Sequence, residues 1–184
     1  DFYDASPSLA KFITIAPFGL RKEDPVAKNP EAFYQKFPGI KKSDKIVYWG
    51  GGIWNWFDPL SVIKAIEILS KKRSDIKLFF LGMKHPNPKI KAMKMAKTAL
   101  DYATEKKLLD KFVFFNFDWT PFEERTNYLT KSAIGVSTHF DNTETRFSFR
   151  TRVLDYLWAE LPMVLTIGDS FADLCERKNL GVVV

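Results

Sequence analysis

The sequence holds a single cysteine, Cys175, and only two histidines, His85 and His139, far apart in the chain. One cysteine excludes an internal disulfide and any multi-cysteine metal site, and it fits a reducing compartment such as the cytoplasm. No cluster has metal-ligand spacing and no Asp-x-Asp triplet occurs, so no bound metal is expected. No apolar run approaches the ~18 residues that cross a bilayer. Repeats and low-complexity tracts are missing. The G-x-G-x-x-G dinucleotide fingerprint fails as well: counted from Gly50 it needs a glycine where Asn55 stands.

What is present is ordinary for a globular domain. The 184 residues are 46% hydrophobic and 27% charged, enough for one domain with a sizeable core. Lys and Arg number 28 against 22 Asp and Glu, a net charge of +6. The lysines are scattered and form no compact run, so nucleic acid is not the expected partner. A phosphorylated metabolite, or peripheral association with an anionic membrane, is compatible with this charge. The chain starts at Asp1 and stops in an apolar Gly181-Val-Val-Val184, a strand with nothing after it. A piece of a larger polypeptide is therefore expected.

Residues 1–44 read as a connecting segment with a short strand at 11–16 and a helical turn at 31–36. From residue 45 the pattern becomes regular. Strands are predicted at 45–49, 76–81, 111–115, 133–137, 163–167 and 182–184. Helices are predicted from Asp58-Pro59 onward, over 89–107 with Ile90 on the inner face, over 120–130, over 149–160 and over 170–178. Such alternation predicts an α/β, Rossmann-like open sheet of about six mainly parallel strands, with helices on both faces.

Two segments carry chemistry. Gly50, Gly51 and Gly52 follow a strand and precede a helix, so their amides can approach a ligand; a plain tight turn explains them equally. Trp54 and Trp56 flank Asn55 in the same loop, either walling a ligand or packing on the next helix. In the second segment Ser148 is positioned to cap a helix whose start is crowded by Arg146, Arg150 and Arg152. A helix N-terminus carries partial positive charge, and arginines there suit a diphosphate. At ~100° per residue Arg150 and Arg152 lie about 200° apart, so one phosphate cannot take both. Arg150 is the favoured ligand of the two, with Arg146 a further candidate, and a surface salt bridge to Asp155 at i, i+3 is the alternative open to Arg152. Asp169 or Ser170 suits a helix cap.

The run Leu154-Asp-Tyr-Leu-Trp-Ala-Glu-Leu-Pro-Met-Val164, with Thr166-Ile-Gly-Asp169 and Gly181-Val182, resembles the C-terminal half of group 1 glycosyltransferases of the GT-B fold. The turn Tyr48–Pro59 resembles the phosphate loop of one branch of that family. The resemblance implies a retaining enzyme's donor domain for a nucleoside-diphosphate sugar, serving hexosyl or deoxyhexosyl transfer, needing no cofactor or metal, with the acceptor domain N-terminal and outside this chain. Asp155 matches the carboxylate that holds the ribose. The first family glutamate is missing, since Phe147 stands there, and Glu144 is its candidate replacement at the sugar. The family's basic pair after the glycine turn is replaced by Trp54, Asn55 and Trp56. Gly51 and Gly52 would meet the diphosphate, and Trp119 or Phe117 in Asn116–Pro121 would border the base. An NAD(P)-binding oxidoreductase domain, and a noncatalytic domain binding nucleic acid or membrane through its basic surface, are the alternatives.

Overall fold

The computed structural model describes residues 12–14, 16, 18–87, 89–91 and 93–184. Six parallel strands form one sheet in the order β3-β2-β1-β4-β5-β6. They are β1 (Lys45–Gly52), β2 (Ile76–Gly82), β3 (Val113–Phe115), β4 (Ile134–Ser137), β5 (Met163–Leu165) and β6 (Gly181–Val183). The helices are α1 (Ala32–Lys36), α2 (Pro59–Ser70), α3 (Lys94–Glu105), α4 (Thr126–Leu129), α5 (Thr143–Phe147), α6 (Thr151–Trp158) and α7 (Ser170–Lys178). This is the Rossmann-like α/β sheet predicted from the alternation.

The period-2 alternation of strand side chains builds two cores. Trp49, Leu78 and Phe80 point to one face, where Ile63 and Ile66 of α2 and Ala99 of α3 cover them. Tyr48, Phe79 and Phe114 point to the other, under Phe33 of α1, Tyr128 of α4, Val153 and Tyr156 of α6, and Phe171 of α7. Phe33 is fully buried, so the connecting segment packs as part of the domain.

Strand order reverses between β1 and β4, and this is where ligands of open parallel sheets sit, beyond the carboxyl ends. The two strands pair only at Val47↔Ile134 and Tyr48↔Gly135. Beyond that they separate, and the Tyr156 hydroxyl fills the gap: it accepts from the Gly50 amide at 2.9 Å and donates to the Val136 carbonyl at 2.9 Å. Gly135 makes room for this ring, because a Cβ there would stand 2.5 Å from it.

Several boundaries differ from the sequence reading. Strand β1 continues through the glycines to Gly52, with a register shift after Trp49 and a left-handed Gly51 at φ +74°. Asp58 caps α2 as expected, its Oδ1 accepting from the Ser61 amide at 3.1 Å. The basic helix begins at Lys94, since Asn55 Oδ1 accepts from the Met95 amide at 3.0 Å and fixes the start; Ile90 lies before it, partly exposed. The helix predicted over 120–130 resolves into a 3₁₀ turn, Phe122–Glu124, and α4. The strand expected over 11–16 falls partly on residues outside those described, and its described members adopt no strand.

Candidate functional site

A cleft of about 680 Å³ opens at the carboxyl edge of the sheet, over the β1–β4 reversal. Its floor is Gly50–Gly52. Trp54 and Trp56 form one wall, and Glu144, Ser148, Arg150, Arg152 and Asp155 from the α5–α6 region form the opposite one. Phe122, Arg125 and the stretch 18–21 complete its lining. The two segments singled out in the sequence thus line one cleft. A second cavity of about 370 Å³ adjoins it beyond β2 and β3, sharing Gly51, Gly52, Trp54, Phe122, Arg125 and Asp155.

The second segment is built differently from its sequence reading. The helix entry splits into α5 and α6. Asn142 caps α5, accepting from the Thr145 amide at 3.1 Å. Ser148 does not cap α6; it sits at the C-terminal end of α5, where its hydroxyl bonds the Glu144 carbonyl at 2.7 Å and the Glu144 carboxylate. Arg150 occupies the capping position of α6 through its backbone, with no side-chain cap.

The two arginines take different partners, although Arg150 precedes the helix and both guanidinia lie against the Phe57 ring, at 5.0 Å and 4.0 Å from its centre. Arg150 is buried and holds Glu144 in a two-pronged contact, Nη1–Oε1 2.8 Å and Nη2–Oε2 2.7 Å, with Asp169 Oδ2 3.8 Å from its Nε. Burial works to raise the Glu144 pKa, but the hydrogen bonds from Arg150 and Ser148 outweigh it and hold the carboxyl below its ordinary value. Arg152 does not pair with Asp155. Its Nη2 donates to the Gly52 carbonyl at 2.8 Å, and its guanidinium lies 4.0 Å from the Phe57 ring centre and 4.9 Å from that of Trp49. No carboxylate meets it among the described residues, and its Nη1 is buried without a partner. Burial without a counter-ion depresses its pKa to about 10.

Asp155 is taken by Arg125 instead. The contact is bidentate, Nε–Oδ2 3.0 Å and Nη2–Oδ1 2.9 Å. Arg125 Nη1 also donates to the Phe122 carbonyl at 2.8 Å, and its guanidinium stacks 3.4 Å from the Phe122 ring centre. Arg21 lies 4.7 Å from that same ring centre. Sequence reasoning overlooked Arg21 and Arg125 and offered Arg152 a partner it does not take; only the fold brings these positions together.

Other expected site residues are placed as follows. Trp54 and Trp56 stack with ring centres 5.3 Å apart and nearly parallel. Asn55 serves α3 rather than the cleft, and Arg146 is exposed outside the cleft lining. Trp119 borders the second cavity on a loop tied by the Asn116 amide, which donates to the Leu81 carbonyl at 2.9 Å and the Thr120 hydroxyl at 2.9 Å. Asp169 caps α7 through the Phe171 and Ala172 amides. His139 is buried beside this cluster, and burial lowers its pKa. Among the described residues, no group of three or more His, Cys, Asp or Glu side chains is arranged to hold a metal ion.

The sheet order and edge cleft define a Rossmann-like domain, and the solved structures it matches place that fold with one half of the GT-B glycosyltransferases. No protein-family model matches the sequence, and no curated protein matches it. Solved structures do. WaaG, a glycosyltransferase involved in lipopolysaccharide biosynthesis, superposes on 100% of this chain and 45% of its own, with a TM-score of 0.72 and 16% identity. The C-terminal domain of LpcC, a group 1 family protein from Francisella tularensis, covers 88% of this chain and 79% of its own, at TM-score 0.64 and 16% identity. HepE from Anabaena, solved in complex with UDP-glucose, covers 84% of this chain and 38% of its own, at TM-score 0.59 and 13% identity. The chain spans less than half the length of WaaG, and at these identities the likeness is one of fold.

Proposed function

We propose that this chain is the nucleotide-sugar-binding half of a metal-independent, retaining glycosyltransferase that moves a hexosyl or deoxyhexosyl group to an acceptor hydroxyl. The observation that carries the reading is the charge of the cleft. Four arginines, Arg21, Arg125, Arg150 and Arg152, line it with two carboxylates, Glu144 and Asp155. The excess of two positive charges matches the pyrophosphate of a nucleotide sugar, which carries one negative charge per phosphorus.

The roles follow from the pairing pattern. Arg150 is occupied by Glu144 and keeps that carboxylate at the cleft, where it meets sugar hydroxyls. Arg152, a desolvated cation with no counter-ion, supplies the main attraction for the diphosphate, aided by the Gly51 and Gly52 amides. In transfer, the bond from the sugar's anomeric carbon to the diphosphate oxygen breaks, and the acceptor oxygen bonds to that carbon. The acceptor's proton passes to the departing diphosphate, whose growing charge the arginines stabilise without a metal ion.

The acceptor site is assigned to a preceding domain of a longer polypeptide, so this chain alone should bind nucleotide and turn over little. The work site is assigned to the cytoplasm, with the positive charge favouring the surface of an anionic membrane. No helix among the described residues is long and apolar enough to cross one. Co-sedimentation with anionic vesicles tests that location.

A thermal-shift screen of UDP, GDP, ADP and dTDP tests the main reading. A ligand that binds only the native state raises apparent stability by about 2.7 kcal/mol at a hundred times its Kd. At least one diphosphate should raise Tm; NAD raising it while every diphosphate fails would overturn the reading.

A further inference from the structure

We infer that the loop between β2 and α3, with the first turn of α3, is a docking surface for an anionic lipid bilayer. Its lysines meet the headgroups, and Ile90 enters the headgroup layer beside Trp119. The inference rests on the membrane-surface location proposed above and names the face of this chain that produces it; it does not depend on which nucleotide the cleft holds.

The charge comes first. Between Gly82 and Leu100 stand five lysines, Lys84, Lys89, Lys91, Lys94 and Lys97, and no acidic residue. No two are adjacent, so they form no compact run, yet this stretch holds +5 of the chain's net charge of +6. All five are exposed. Of these, Lys97 alone meets a carboxylate among the described residues, that of Asp101 at 2.5 Å. Lys94 opens α3, and no acidic residue stands in that first turn, although the positive end of a helix favours one. Unpaired cations gathered in this way repel one another in water and are relieved by a surface that offers many anions at once.

The apolar groups among the lysines come second. Ile90 is 37% exposed between Lys89 and Lys91, and Trp119 is 61% exposed. Both line the smaller cavity, whose rim brings together the loops that follow β2 and β3. An aliphatic side chain gains little along a sugar–phosphate backbone, whereas burial among headgroups and acyl chains favours it, and tryptophan belongs to that same interface. Ile90 therefore points to a bilayer rather than a nucleic acid. None of these residues lines the larger cleft, so the docking face is separate from its charged walls. The loop leaves β2 on the same edge of the sheet as that cleft, and docking holds the transfer site close to the bilayer.

Co-sedimentation with vesicles of phosphatidylglycerol and phosphatidylcholine in equal parts tests this. The chain should sediment with them, and with phosphatidylcholine alone it should not. One lysine near an anionic surface is worth about fivefold in affinity, so Lys89→Gln/Lys94→Gln should bind about twenty-five times less tightly. Lys71→Gln/Lys72→Gln lowers the net charge equally at two exposed lysines on the amino edge of the sheet, and should lose about twofold or less because salt screens charges outside the contact. Ile90→Ser should weaken binding severalfold; full-strength binding in that variant contradicts insertion. Far-ultraviolet circular dichroism and Tm confirm that each variant folds. Equal losses in the two double variants overturn the inference and leave the membrane location standing on overall charge alone. Failure of the parent to sediment with anionic vesicles overturns both and leaves the nucleotide reading intact. A single-stranded oligonucleotide that strips the parent from the vesicles, and binds Ile90→Ser as well as the parent, gives the patch to nucleic acid and overturns it too.

Discussion

Arg152 Nη2 stands 2.8 Å from the carbonyl oxygen of Gly52, a hundred residues away in sequence. This contact joins the glycine floor of the cleft to the helix that faces it. It also shows how a cation can be partly buried without a carboxylate: two aromatic faces and one carbonyl replace much of its water. Such a group is costly to keep in the empty protein and favourable once an anion arrives.

That asymmetry gives the first prediction. Arg152→Met keeps the side-chain stem against Trp49 and Phe57 and removes the charge. Urea unfolding of the ligand-free variant should show stability equal to or above that of the parent, whereas most substitutions at buried sites destabilise by about 0.5–3 kcal/mol. A loss larger than that range would mean the guanidinium is chiefly a structural strut.

Tyr156→Phe should cost about 1–3 kcal/mol, because it leaves the Gly50 amide and the Val136 carbonyl without their shared partner at the strand gap. Burial also pushes the Tyr156 hydroxyl up to about 12, so it remains a neutral bridge across the working pH range. Denaturant midpoints measure the cost.

Gly135→Ala should destabilise by about 1–3 kcal/mol, the usual penalty for overpacking, since its Cβ would meet the Tyr156 ring at 2.5 Å. Tyr156→Leu in the same chain should recover part of the loss, a coupling that a double-mutant cycle reads directly.

These positions show what was and was not legible in the sequence. The strand alternation, the Asp58-Pro59 helix start and the meeting of glycine turn with arginine-rich segment follow from local pattern, because periodicity and capping act over a few residues. The partners of the charged groups do not. Arg152 sits three residues from Asp155, a spacing that suits a helical ion pair, yet Arg125 reaches Asp155 from thirty residues away. Ser148 precedes the helix and has the right chemistry to cap it, but the chain first makes a separate turn of helix at Asn142 and spends that hydroxyl on Glu144. Asn55 lies between two cleft tryptophans and turns the opposite way, to the start of α3. Tertiary geometry overrides spacing at each of these sites.

Acid should weaken the fold in two windows. Burial keeps the His139 pKa below its ordinary 6.5, opposed in part by Asp169, while Arg150 lowers it further. The unfolded chain therefore takes up this proton first, and stability falls as pH drops from 6.5 toward the native value. Glu144 has a native pKa below its ordinary 4.5, so the contribution of its Arg150 contact is complete above that pH and is lost as pH falls through the native value. Unfolding midpoints from pH 8 to pH 3 should show both declines, and His139→Gln should remove the upper one alone.

Whether Arg152 grips the diphosphate is decided by titration calorimetry of the chain and of Arg152→Met with UDP and GDP. The parent should bind at least one of them, and the variant, still folded, should lose about tenfold or more in affinity, the worth of a charge-assisted contact. Binding of equal strength in both proteins would contradict that grip.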